Sequence, residues 1–315
     1  MDLTEQSITS GFRSQTDATC AAVTACRLMG FPVCLCVKFS LTRRLNTSAA
    51  SLQISVSARS RLGGLSERGH LIRRIKQIPG IDSVTLTTNG TLALQHLEEL
   101  KAIGIDGINF SLDTLKPAVF HQITGESGLE DVLAAINRAV SLQIPNIKIN
   151  CVPVRDFNLS EIPDIAALAE DYPIHVRFIE MMPIGLGKDF QMISEAEICH
   201  LLKDTYGSLE PIDGIFGNGP AHYYHIPGFK GHIGFISAMS HMFCDGCNRI
   251  RLTTDGQLKT CLFYENGIDL KSLIRNNCSD EELRQQVCLA LQNKPQHHEI
   301  SSLPPELRGM SQIGG

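Results

Sequence analysis

From about His70 onward the sequence alternates between strand and helix patterns, and no other feature narrows the fold of this chain as much. Leu71–Gln77 reads as the end of a helix, and Val84–Thr88 as a strand closing on an Asn89-Gly90 turn. A helical stretch His96–Ile103 and a strand Gly107–Leu112 follow. Leu129–Leu142 carries a 3.6-residue period, and Ile147–Val154 is an apolar strand run. Ile162–Glu170 is helical again, and His175–Ile179 is another strand. Repeated strand–helix units predict parallel strands joined by crossover helices. The expected class is α/β, a partial (β/α)6-type TIM barrel with functional residues at strand C-termini. A doubly wound open sheet is the competing arrangement.

The pattern changes beyond Ile193. Ser194 and Glu197 have capping-box spacing, which starts a helix over Glu195–Asp204. Gly/Pro-rich stretches at 214–219 and 227–234 come next, then a cysteine-rich segment, a helical segment near Leu283–Asn293 and a tail ending Gly314-Gly315. The expected organisation is three parts: 1–69, a degenerate N-terminal part of the barrel; 70–213, the barrel; and 214–315, a C-terminal extension packed on it. Within the first part Cys34–Phe39 is apolar, while Leu41–Arg61 is crowded with Ser, Arg and Thr and has no clean period.

Hydrophobic residues make up 43% of the 315 and charged residues 19%, enough for a sizeable core. No run of eighteen apolar residues occurs and Met1–Thr16 has no apolar signal core, so the expected setting is cytoplasmic, with no membrane partner. A net charge of −5 supplies no global field for nucleic acid. Cations for an anionic ligand must then be concentrated at one site. Eleven cysteines in such a chain point to metal or redox chemistry rather than disulfides.

The strongest local signal runs from Phe243 to Phe263. Cys244 and Cys247 form a CxxC hook, and a hairpin through Thr254-Asp255-Gly256 would return Cys261 beside them. Three thiolates are one short of a closed zinc site, for which His241 could be the fourth ligand. They equally suit a [4Fe–4S] cluster with one open iron. In a strand, Cys247, Arg249 and Arg251 share a face while Ile250 and Leu252 face the core. Two guanidinium groups beside such a cavity suit a polyphosphate.

Earlier segments carry weaker signals. Thr87-Thr88-Asn89-Gly90 closes one strand; Ile108–Asp113 closes the next, where Asp113 could cap the following helix. Lys148 and Asn150 interrupt an apolar strand, and a buried lysine is costly unless it meets an anion. Met181-Met182-Pro183 follows the strand at His175.

In order and spacing these segments resemble the radical S-adenosylmethionine GTP 3′,8-cyclases that open molybdenum cofactor biosynthesis. The FCxxCNRxRLTxDGxLxxCLF run is similar to that family's second-cluster motif, and TTNG, NxSLDTL, KxN and EMMPxG recur there. The likeness spans roughly Gly69 to Gly315. It implies Cys244, Cys247 and Cys261 as ligands of a second [4Fe–4S] cluster, and Thr87, Lys148, Arg249 and Arg251 at GTP. It implies Ser111 and Met182 at S-adenosylmethionine, and Gly314 and Gly315 as a tail entering the active site. In the family reaction a 5′-deoxyadenosyl radical takes hydrogen from the ribose of GTP, and the sugar carbon joins C8 of guanine. The implied partners are GTP, an electron donor, the downstream cyclic pyranopterin synthase and a second copy of the chain.

One family motif is absent. The CxxxCxxC run that holds the first of the family's two clusters does not occur; the N-terminal cysteines are Cys20, Cys26, Cys34 and Cys36. The family's GGEP loop stands as Gly63-Gly64-Leu65-Ser66. One choice of codons for Asp17–Cys26, read from the third base, gives Cys-Asp-Leu-Arg-Cys-Arg-Tyr-Cys-Met. Residues 18–69 are therefore expected to be out of frame, with the frame regained near His70. The alternatives are a non-catalytic relic that keeps GTP and one cluster, or a radical enzyme acting on peptides.

Overall fold

The computed structural model describes residues 35–43, 50–58, 65–214, 216–217, 219–245, 247–295, 306 and 313. The chain divides into two compact units, one made of Ala58–Ser60 and Leu86–Cys244, the other of Met1–Ser57, Arg61–Thr85 and Asp245–Gly315.

The Leu86–Cys244 unit is the expected α/β arrangement. Four strands, β4 (Gly107–Ser111), β5 (Ile147–Cys151), β6 (His175–Ile179) and β9 (His232–Ile236), pair in parallel in that order. β8 (His222–His225) adds antiparallel to β9, and β7 (Glu210–Ile212) antiparallel to β8. The crossover segments supply α2 (Leu97–Ile103), α3 (Pro117–Thr124), α4 (Leu129–Ser141), α5 (Ile162–Asp171) and α6 (Glu195–Tyr206). Alternation decides which face of each strand is buried. Ile108, Phe110, Ile149, Val176, Phe178, Ile233 and Phe235 are essentially inaccessible. So are Val132, Ala135 and Ala139 of α4 and Ile165, Ala166 and Ala169 of α5. The intervening positions Asn109, Ser111, Lys148, Asn150, His175, Arg177 and His232 carry polar side chains and make a second, hydrophilic face.

Three local expectations change. β5 stops at Cys151, before Pro153, because Val152 N–H donates to the Asp113 carboxylate at 2.7 Å and Val154 N–H to Asn158 Oδ1 at 2.7 Å. Asp113 therefore caps no helix. α3, which the sequence pattern does not announce, starts on Pro117 and stops at Gly125 (φ 70°), with Lys116 at its N-cap. Ser194 caps α6 by accepting Glu197 N–H at 3.3 Å, but the Glu197 carboxylate pairs with Arg155 at 2.8 Å, so only half of the capping box forms.

In the other unit, β1 (Leu35–Arg43) runs antiparallel to β10 (Arg249–Leu252), with Lys38 opposite Arg251 and Ser40 opposite Arg249. β2 (Ala50–Ala58) forms beside β1 where the sequence shows no clean period, and α1 (Leu65–Lys76) follows. β10 turns into β11 (Gln257–Lys259), which pairs with β12 (Ile268–Asp269). α7 (Leu270–Arg275) and α8 (Asp280–Gln292) complete the described elements. The β10–β11 hairpin has the expected chemistry: Gly256 sits at φ 86°, and Thr253 exchanges backbone bonds with Gln257 and Gly256.

Candidate functional site

The hydrophilic face of the Leu86–Cys244 unit is built in two rows. Strand register sets Asn109, Lys148, His175 and His232 side by side, and two residues on, Ser111, Asn150, Arg177 and Gly234. Arg177 holds the rows together, its Nε donating to Asn150 Oδ1 at 2.8 Å and its Nη2 to Asn109 Oδ1 at 3.0 Å. Asn109 in turn donates to Thr87 Oγ1 at 3.1 Å. Tyr223, opposite Gly234, shares a hydrogen bond with Arg177. Gly234 is required for this, because a Cβ there would stand 2.7 Å from the Tyr223 ring and 3.1 Å from the Arg177 stem.

The electrostatics of this face are one-sided. Lys148 is 5% exposed, and burial, with the Arg177 charge adding to it, brings its pKa down to about 8. Burial likewise holds Arg177 below its ordinary value. His175 is pushed down to about 3 by burial, then by Lys148, His232 and Arg177. It lies Nδ1 to Nδ1 with His232 at 3.2 Å, so at neutral pH one of this uncharged pair donates to the other. Among the described residues no carboxylate pairs with Lys148 or Arg177. Two desolvated cations without a counter-charge make a site for an anion.

Thr87, Ser111 and Met182 sit at or just past the C-terminal ends of β3 (Ile81–Thr88), β4 and β6. Ser111 is exposed, and Thr87 and Met182 are half-buried. The turn after Thr87 needs glycine: Gly90 has φ 81°, its N–H donates to Thr88 Oγ1 at 3.1 Å, and a Cβ would meet Val132 at 2.8 Å.

The cysteine segment crosses the division of the chain: Cys244 ends one unit, and Cys247 and Cys261 belong to the other. None of the three is in a disulfide, and all are half-buried. Burial raises the Cys247 thiol, but the Arg249 N–H and guanidinium, with Lys294, outweigh it and hold the group below the ordinary thiol range. Lys294 Nζ donates to Arg249 O at 2.9 Å and to Thr260 O, tying the start of β10 to the residue before Cys261. Arg251 is buried, as the core-facing Ile250 and Leu252 are; Arg249 is half-buried. Among the described residues no three His, Cys, Asp or Glu side chains form a metal-holding group. The fit to an iron–sulfur cluster lies in the donors: three thiols outside disulfides, one already biased toward thiolate. His241 Nδ1 faces Glu195 Oε2 at 3.3 Å.

Sequence models of two families match, the Radical SAM superfamily over residues 63–169 and Molybdenum Cofactor Synthesis C over residues 174–300. A "GTP 3′,8-cyclase" of Syntrophomonas wolfei is 45% identical over 250 residues, covering 78% of this chain and 76% of the relative. Those of Desulforamulus reducens and Clostridium perfringens (strain 13 / Type A) are 42% and 43% identical, each over 78% of this chain and 77% and 76% of theirs. This chain belongs to the GTP 3′,8-cyclase family.

Thr87, Asn109 and Arg177 form one hydrogen-bonded network, and strand register sets Lys148 beside Asn109. Ser111 stands in the row beside Asn150 and Arg177. Arg177, His175 and Tyr223 were not among the sequence candidates. Their signal was faint: Arg177 and His175 alternate with Val176 and Phe178, as surface residues of a half-exposed strand also do. The expected tail residues Gly314 and Gly315 lie outside the described residues, as do Cys20, Cys26 and Cys34.

Proposed function

We propose that this chain is the GTP 3′,8-cyclase of molybdenum cofactor biosynthesis and that the anion site at Lys148 and Arg177 takes the GTP phosphates. The observation that carries this is the pair of buried cations with no carboxylate between them, in a chain of this family. Thr87 and Asn109 extend the polar face, while Arg249 and Arg251 supply further guanidinium groups to the nucleotide. Ser111 and Met182, at strand ends, are positioned for S-adenosylmethionine. Cys244, Cys247 and Cys261 hold the second of two [4Fe–4S] clusters. In this family S-adenosylmethionine and the first cluster would supply the radical that takes hydrogen from the ribose of GTP, and the CxxxCxxC run that would hold that cluster is absent here. The protein's own part is to hold the triphosphate, orient the ribose and exclude water. An electron donor, the enzyme that consumes the cyclised nucleotide and a second copy of the chain complete the proposed partners. Among the described residues no helix is long and apolar enough to cross a membrane.

Titration calorimetry with GTP tests the assignment. Losing a charge-assisted contact costs about 1.5–3 kcal/mol, so Arg251→Ala and Arg177→Met should each weaken GTP roughly ten- to hundredfold. Unchanged affinity in either variant removes that arginine from the site. A second reading has one observation in its favour, the absence of CxxxCxxC. In that reading the chain binds GTP and one cluster but generates no radical.

A further inference from the structure

Two buried carboxylates in the Leu86–Cys244 unit hold the segment that leads into Cys244. Glu180 follows β6 and is 4% exposed; Glu195 opens α6 and is 5% exposed. Glu180 Oε2 accepts the backbone N–H groups of Met239 and Ser240, both at 2.9 Å. Its Oε1 accepts the Ser240 hydroxyl and, at 3.3 Å, the Glu195 N–H. Glu195 Oε2 accepts the Ser237 hydroxyl and faces His241 Nδ1 at 3.3 Å, while Oε1 accepts His222 Nε2 at 2.6 Å. A backbone bond from His241 N–H to Ser237 O at 3.1 Å closes the turn between them. The knot starts one residue after β9 ends at Ile236 and stops three residues before Cys244.

The chemistry of this knot is unusual for a loop anchor. Ser240, His241 and Met242 are exposed, and Ala238 is the buried apolar side chain of the loop. A buried carboxylate is costly unless every lone pair meets a donor. Glu180 takes three of its four hydrogen bonds from Met239 and Ser240, and Glu195 divides its partners between Ser237 and His241 of the same segment and His222 of β8, so the backbone of the segment is held to a defined place. The next cysteine, Cys244, lies four residues after Ser240.

We propose that Glu180 is a positioning residue for the Cys244 thiolate: by fixing the Met239–Ser240 turn it sets where that cluster ligand stands. The inference rests on reading Cys244, Cys247 and Cys261 as cluster ligands. Glu180→Gln keeps size and shape but leaves one accepting oxygen in place of two, so either the Met239 and Ser240 N–H groups or the Glu195 N–H must face an amide N–H₂, which weakens the hold on the turn.

The test uses the full chain, reconstituted anaerobically, with iron and sulfide content, the electron paramagnetic resonance signal of the reduced cluster, and hydrogen exchange over 237–244. Cys244→Ala reports the ligand reading, and Glu161→Gln is the matched control. Glu161 is equally buried in the same unit, and its carboxylate accepts from the Thr114 hydroxyl at 2.9 Å and from Leu115 N–H at 2.8 Å. The expected result is that Glu180→Gln and Cys244→Ala both lose iron and sulfide and alter the signal, while Glu161→Gln keeps both. Exchange over 237–244 should quicken roughly tenfold or more in Glu180→Gln. A full cluster with an unaltered signal in Glu180→Gln overturns the positioning role. A full cluster in Cys244→Ala overturns the ligand reading, and the positioning role with it. Should Glu180→Gln not accumulate, Ser240→Ala removes one donor from the same carboxylate. It should then quicken exchange and shift the signal, and an unshifted signal counts against the proposal.

Discussion

Lys148 is charged where neither water nor a carboxylate compensates it, and this gives it a pH signature. Its ordinary pKa of 10.5 falls to about 8 on folding. Below about pH 8 the folded chain therefore carries in the interior a charge that the unfolded chain carries in water. The resulting destabilisation is complete below pH 8, shrinks as pH rises through 8, and is gone near 10.5. His175, neutral down to about pH 3, adds nothing in that window. Lys148→Met should raise the melting temperature of the ligand-free protein at pH 7 and flatten the rise in stability between pH 8 and 10. The same variant should bind GTP roughly ten- to hundredfold more weakly at pH 7, because a charge-assisted contact is lost. Wild-type affinity should itself decline as pH climbs past 8. Thermal scans and calorimetry across that range check both halves, and a lower melting temperature for the variant at pH 7 would refute the electrostatic account.

Single turns and helices show where sequence pattern suffices and where it does not. Gly90 joins two demands, φ 81° and a Val132 methyl 2.8 Å from where a Cβ would sit. Gly90→Ala should therefore lower stability by about 2–4 kcal/mol, strain and overpacking acting together. Gly104→Ala, at φ 73° with nothing within 4 Å, should cost about 1 kcal/mol from backbone strain alone. Denaturant midpoints compare the two, and equal losses would discard the packing argument. β4, β5, β6, α4 and α5 were legible because their apolar residues repeat with a single clean period. α3 was not, being eight residues long between turns. The capping boxes show the limit: Ser194 and Glu197 have the spacing but Arg155 takes the glutamate, whereas Ser279 and Glu282 complete theirs in both directions. A local motif states what a residue can do, and the tertiary neighbours decide whether it does so. The site follows the same rule. Lys148 stood out because a lysine inside an apolar strand is anomalous by itself. Arg177 and Tyr223 became visible only once register set them on one face.

For the chain as a whole, the substrate-side motifs are present and the CxxxCxxC run is missing. A [4Fe–4S] cluster that leaves one iron open to S-adenosylmethionine needs three thiolates brought to one side. Cys20, Cys26, Cys34 and Cys36 are separated by five, seven and one residues, so any trio drawn from them must close an unusually long loop without recognisable turn chemistry. The chain as written is therefore expected not to cleave S-adenosylmethionine reductively, although it should still bind GTP. One codon reading of Asp17–Cys26 yields a CxxxCxxC run in another frame and is the ground for the out-of-frame expectation; the Radical SAM match begins at residue 63, close to where that frame would be regained. The measurement is 5′-deoxyadenosine formed under dithionite, by this chain and by one whose residues 18–69 are restored to the alternate frame. Robust product from the unrestored chain would show that its own N-terminal cysteines assemble a competent cluster, and the out-of-frame account would be wrong. Product from the restored chain alone would confine the defect to the first cluster. GTP binding should then be equal in the two chains, because Lys148, Arg177 and Arg251 lie outside the exchanged segment.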